Sequence, residues 1–256
     1  MEGSQRKQLE RSIGEIVDAC RAVFRKELRC VILKGSLVTG DFIPGYSDAD
    51  IHAYVDDRVL EDGEAPRLEY ALSFQEAIGR LKPGDAGVSQ FQVYFLPAER
   101  RREGWNPPAP GTFRVLYGCT VPAMEMLPLN EYLENEWGYL AEARRCRLDI
   151  LGRFVDKPDS SLPVMVRLTG TCVKGLLYAL YSVLSKNPEE ASSLDRLLRE
   201  ACNRVPDLSC AARFFRRVRN WPVLTKDTEQ MREALAWGIR ALEAIEKWRA
   251  SEPKPF

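Results

Sequence analysis

Histidine is almost absent from this chain: among 256 residues there is one, His52. A zinc site would therefore have to be built from thiolates. None of the seven cysteines (Cys20, Cys30, Cys119, Cys146, Cys172, Cys202 and Cys210) forms a C-x-x-C pair. Their odd number and apolar surroundings predict buried free thiols in a reducing compartment, the cytoplasm. Neither sign of charge is in excess, with 37 basic and 37 acidic residues, which argues against a dedicated nucleic-acid binder. No apolar run approaches the roughly 18 residues that a membrane span requires. The charged opening MEGSQRKQLERS lacks the apolar stretch of a signal peptide. No G-x-G-x-x-G occurs, so a dinucleotide-binding turn is unsupported. Internal repeats and low-complexity segments are missing as well.

What is present is an ordinary soluble composition, 45% hydrophobic and 29% charged, long enough for one large domain or two small ones with a real core. Residues 6–27 carry apolar side chains at helical spacing (Leu9, Ile13, Ile16, Val17, Cys20, Val23). CVILKG reads as a short strand ending in glycine. DADIHAYVDD alternates, with Ala49, Ile51, Ala53 and Val55 on one face and Asp48, Asp50, His52 and Tyr54 on the other. A helix is predicted over 67–81, a strand in VSQFQVYFLP stopped by Pro97, and a short strand over 113–117. Beyond about residue 126 the patterns are helical only: roughly 129–154, 163–186, 189–204, 207–219 and 226–249. The fold class predicted is α/β (α+β) with a mixed sheet over 1–125, followed by an all-helical bundle over 126–256.

The most informative stretch is KGSLVTGDFIPGYSDAD, residues 34–50. Asp48 and Asp50 project to the same side of a strand. Two adjacent carboxylates repel unless a cation lies between them, and Mg²⁺ takes carboxylate, phosphate and water oxygens. Ahead of them lies a flexible small-residue loop in which Gly35 lets backbone N–H groups approach an anion. GSLVTGDF has the glycine spacing of a P-loop, but Asp41 stands where lysine is needed and would repel phosphates. Metal-holding acids beside a phosphate-cradling turn point to phosphoryl or nucleotidyl transfer.

Gly35-Ser36, a spacer of about ten residues and Ser47-Asp48-x-Asp50 together resemble the signature of the polymerase-β-like nucleotidyltransferase superfamily. The chain looks most like its aminoglycoside (antibiotic) adenylyltransferase and minimal nucleotidyltransferase branch. The motif covers residues 34–55; the order of elements matches over most of the chain. The resemblance implies that Asp48 and Asp50 bind Mg²⁺, with two ions expected, and that Gly35, Ser36 and Ser47 hold the nucleotide phosphates. It further implies that an acceptor hydroxyl attacks the α-phosphorus of ATP or another NTP and releases pyrophosphate. The sequence departs from the family at the third carboxylate. In FQVYFL the matching position is Gln92, with Gln90 predicted on the same face. Glutamine accepts hydrogen bonds but cannot take a proton. Asp41, Asp85 and Glu125 are then the candidate bases by closeness to the motifs.

Other marks have a bland reading beside a functional one. His52 shares the face of Asp50 and reads as a strand histidine bonded to a neighbour. Arg167, Thr171, Lys174 and Tyr178 form one polar stripe on an otherwise apolar helix. Lys174 is either a snorkelling or ion-paired lysine or, as the resemblance implies, a ligand of the triphosphate. RFFRRVRN reads as a solvated helix face, with a nucleic-acid patch as the lesser reading. Trp105 and Trp221 are expected to pack in the core or at its rim. The function expected is transfer of AMP from ATP to a hydroxyl of a small molecule such as an aminoglycoside, an antibiotic-resistance activity. The alternatives are modification of a partner protein or tRNA in a toxin–antitoxin pair, and a catalytically weak nucleotide-binding module. The helical half is not itself the partner nuclease of such pairs, since R-x-x-x-x-H cannot be formed there without a histidine.

Overall fold

The computed structural model of the chain describes residues 3–101, 105–187 and 193–254. The chain divides into two compact units, Met1–Leu127 and Pro128–Phe256. In the first, helix α1 (Gly3–Phe24) leads into β1 (Leu28–Lys34), a four-residue helix α2 (Ser36–Thr39) and β2 (Ala49–Val55). A small two-stranded ribbon, β3 (Leu60–Glu61) with β4 (Ala65–Pro66), precedes α3 (Leu68–Ile78), β5 (Phe91–Pro97) and β6 (Phe113–Gly118). The main sheet is mixed, in the order β5-β2-β1-β6. β1 is antiparallel to both β2 and β6, whereas β2 and β5 run parallel, joined by the α3 crossover.

The alternation in β2 decides how the sheet is buried. Ala49, Ile51, Ala53 and Val55 are fully buried and pack with Ile16, Cys20 and Phe24 of α1 and Phe74 of α3. The opposite face, which the alternation makes polar, is largely covered as well. Cys30, Ile32, Tyr54 and Leu96 form a second cluster with Ala98, Val121, Ala123 and Met124, and Trp105 and Phe113 pack against it. The return segment after β5 covers this face from Tyr54 to His52, so both are buried. Asp48 and Asp50, at the other end of β2, stay half-buried.

The second unit is all-helical: α4 (Leu129–Tyr139), α5 (Glu142–Phe154), α6 (Leu162–Ser185), α7 (Leu194–Arg204), α8 (Ser209–Val218), α9 (Trp221–Leu224) and α10 (Thr228–Ser251). Among the described residues no strand follows Gly118. The single helix expected over 129–154 is broken at Leu140–Ala141. No proline marks the break, although Gly138 weakens the turn before it. The bend buries Leu140 completely. Residues 188–192, the start of another expected helix, lie outside the described residues. α7 begins at Leu194 under a Ser193 cap, and α10 under Asp227, which accepts from the N–H groups of Glu229 and Gln230 at 3.0 Å. α6 is the centre of this unit, as its apolar composition predicts, with Leu176, Leu177 and Leu180 fully buried. Among the described residues no helix is long and apolar enough to cross a membrane.

Candidate active site

The strand directions bring the motif together. β1 ends where β2 begins, so Lys34 is the cross-strand partner of Asp50 and Gly35 lies beside it. β5, parallel to β2, starts at the same edge and pairs Gln92 with Asp50. One sheet edge therefore carries Gly35, Asp48, Asp50 and Gln92. The residues are far apart in sequence because a parallel pairing requires a crossover.

Gly35 has φ +74° and ψ −151°, a conformation open essentially to glycine alone. A Cβ at this position would overlap the Asp50 carboxylate. Glycine is required twice here, once by the backbone and once by the acid beside it. Ser36 follows as the first residue of α2 and is buried. The loop from 40 to 47 was expected to be flexible, but hydrogen bonds staple it. The Ser47 hydroxyl accepts from Ile43 N–H at 3.0 Å, and the Ser47 N–H donates to Ile43 O at 2.9 Å. Two further bonds tie it to the turn before β5: Gly45 N–H to Gly87 O, and Ser89 N–H to Ser47 O, both 2.8 Å. Ser47 thus shapes the loop that delivers Asp48.

Gln92 is the hub of the site. With the amide orientation assigned from its hydrogen-bond partners, its nitrogen donates to Asp48 Oδ2 at 2.9 Å and reaches Asp50 Oδ1 at 3.3 Å, while its oxygen accepts from the Tyr94 hydroxyl. In this orientation each amide atom meets a partner of the opposite kind. Tyr94 was not singled out from the sequence; its signal is the i+2 spacing from Gln92 on the same strand. Burial, reinforced by the charges of Asp50 and Asp48, pushes the Tyr94 phenol up, which keeps its proton in place. A neutral side chain therefore bridges two carboxylates where the expected third acid would have repelled them.

Behind this cluster, His52 pairs with Tyr94 across the sheet and meets its ring edge-on at 5.3 Å. It is 4% exposed. The bond to a neighbour expected for it is missing at Nδ1, which has no partner. Burial first, and then the charge of Lys34, hold the imidazole well below its usual range, so it is neutral. Trp105 packs 5.8 Å from Tyr94, in the layer that covers this face.

The other residues singled out from the sequence sit on other elements or on loops. Gln90 precedes β5 and is exposed, its carbonyl accepting from Ala49 N–H. Asp85 and Glu125 are exposed, and Asp41 accepts from the Thr39 hydroxyl at 3.1 Å. Lys174 belongs to the second unit, on α6, with its Nζ 5.9 Å from the Tyr178 ring. Trp221 is buried in the same unit.

Among the described residues no group of three or more His, Cys, Asp or Glu side chains could hold a metal ion. The donor set fits Mg²⁺ all the same, because that ion is commonly held by one or two carboxylates with phosphates and water completing its shell. Asp48 and Asp50 would supply those carboxylates. Gln92 Oε1 is engaged by Tyr94 and adds no ligand in this arrangement. No model of a known protein family matches the chain, and no curated protein matches it.

Proposed function

We propose that the protein is a Mg²⁺-dependent nucleotidyltransferase that moves a nucleoside monophosphate, AMP from ATP, to a hydroxyl of a small acceptor such as an aminoglycoside. One observation carries this reading: the Asp50 carboxylate lies against a glycine that has room for no side chain. Acids and a close-approach backbone turn thereby form a single sheet edge. This supports the resemblance of Gly35-Ser36 and Ser47-Asp48-x-Asp50 to the polymerase-β-like signature.

In this reading Asp48 and Asp50 hold Mg²⁺, which neutralises phosphate charge when bound. Gly35 and Ser36 bind the β- and γ-phosphates, and Ser47 keeps the loop in shape. The acceptor oxygen bonds to the α-phosphorus as the bond to the β-phosphate oxygen breaks, and pyrophosphate leaves. Gln92 cannot take the hydroxyl proton. General-base assistance is worth roughly 10²–10⁴-fold, so turnover is slow unless another group accepts it.

The test is pyrophosphate release from ATP and Mg²⁺ across a panel of aminoglycosides and other hydroxylated compounds. Asp48→Ala and Asp50→Ala should each abolish release while leaving circular dichroism unchanged. Release that persists in the double variant overturns the metal-site assignment. The Gln92 bridge favours a second reading, a nucleotide-binding module that does not catalyse. Its signature is Mg²⁺-dependent ATP binding with no pyrophosphate from any acceptor, partner protein or tRNA included.

A further inference from the structure

The RFFRRVRN segment has no role in that reaction. On α8 it splits by face: Phe214, Phe215 and Val218 are buried, while Arg213, Arg216 and Arg217 are exposed. The rings that might have stacked on nucleic-acid bases are thus spent in the core. The arginines instead line a cavity of about 490 Å³ in the second unit, shared with α9 and α10. That volume lies within the range of small-molecule sites, about 300–1,000 Å³.

The charges in the cavity do not balance. Arg217 is engaged, donating to Glu233 Oε2 at 3.0 Å and Gln230 Oε1 at 3.3 Å. Arg213 lies over the Trp237 ring at 4.6 Å. Neither Arg213 nor Arg216 has a carboxylate partner among the described residues. Like charges three and four positions apart on a helix repel. Arg216 and Arg217 sit in the last turn of α8, where the helix dipole favours cations. The dipole does not account for Arg213, or for the apolar walls that Val223, Leu224 and Trp237 add. Two guanidinium forks without a carboxylate partner thus face a mainly polar concave site that has one apolar and aromatic flank, Val223, Leu224 and Trp237, and a planar fork suits phosphate oxygens.

We propose that this cavity binds a small dianion carried on a planar or apolar body, of the phosphomonoester class. Arg213 and Arg216 bind the anion, and Trp237 with Val223 contacts the body.

Calorimetric titration of the full chain in low-salt, phosphate-free buffer tests this with phenyl phosphate, inorganic phosphate and phenol as probes. Phenyl phosphate should bind once per chain and about tenfold tighter than either fragment. Arg213→Ala and Arg216→Ala should each weaken it about tenfold, the loss of one charge-assisted contact. Arg240→Ala, which removes a second cation over Trp237 but outside the cavity lining, should change affinity less than about twofold. The Asp48→Ala/Asp50→Ala variant should bind phenyl phosphate as wild type does, separating this site from the proposed active site. Both arginines are exposed, and Arg213 loses only its contact with the Trp237 ring, so the variants should melt within about a few degrees of wild type. Equal binding of phenyl phosphate and inorganic phosphate, unchanged affinity in the Arg213 and Arg216 variants, or loss of binding with the two aspartates would each overturn the proposal.

Discussion

An amide and a carboxylate have nearly the same shape, yet at position 92 they have opposite effects. The Gln92 amide donates to both Asp48 and Asp50, so the pair is stabilised without a metal. In Gln92→Glu these donors are replaced by a third negative charge. The variant should melt lower than wild type in EDTA, by about 1–3 kcal/mol of stability. It should gain more from Mg²⁺ with ATP than wild type does, because a cation then relieves the repulsion. Equal melting with and without Mg²⁺ would mean that the new carboxylate does not face Asp50. Gly35→Ala tests the other side of the same acid. A positive φ and the overlap with Asp50 together should cost about 1–3 kcal/mol and displace a proposed metal ligand, so both the melting temperature and Mg²⁺-dependent ATP binding should fall. A variant with the thermal stability of wild type would be incompatible with this geometry.

Helix packing in the second unit turns on small residues and on a pair of thiols. On α10, Gly238 faces Thr169 of α6, and an added Cβ would also meet the Phe214 ring of α8 at 3.1 Å. Alanine is the better helix former by roughly 0.8–1.0 kcal/mol, but overpacking a core costs about 1–3 kcal/mol. Gly238→Ala should therefore lower stability in chemical denaturation; an unchanged or raised midpoint would show that the three helices can part. Cys146 of α5 and Cys172 of α6 share a hydrogen bond, which holds the Cys146 thiol below its ordinary range and pushes Cys172 up. Near neutral pH Cys146 should then be alkylated by iodoacetamide before Cys172, as read by peptide mass mapping. Cys172→Ala should slow the Cys146 reaction, since its thiolate loses a donor. Faster labelling of Cys172 in the wild type would reverse the assignment.

At the scale of the molecule, each unit carries its own core. The first has one cluster on each sheet face, and the second surrounds α6 with α10, α4, α5 and α7. A fragment of residues 1–127 has the size of an independently folding domain and carries two buried clusters of its own. Expressed alone, it should melt cooperatively and keep near-UV dichroism from Trp105 and its aromatic neighbours. A broad transition with exposed hydrophobic surface would show that its core is incomplete.

Local chemistry was enough to read most of the longer elements. The alternation of β2, the helical spacing of α1, the apolar length of α6 and the switch to helices after residue 126 follow from which residues sit two or three to four apart. The motif could be read for the same reason, since Gly35, Ser36, Ser47, Asp48 and Asp50 are close in sequence. The break at Leu140 was not legible, because no local breaker beyond a glycine marks it and burial of one leucine accompanies it. The burial of His52 and Tyr54 depends on a segment that returns after β5, and no spacing within β2 encodes that cover. The partners of Gln92 depend on parallel pairing across the α3 crossover, which places residues some forty positions apart side by side. Sequence alone showed that position 92 lacks an acid. Only the tertiary structure showed that its amide bridges the two acids, because a hydrogen bond across a sheet is set by register and not by composition.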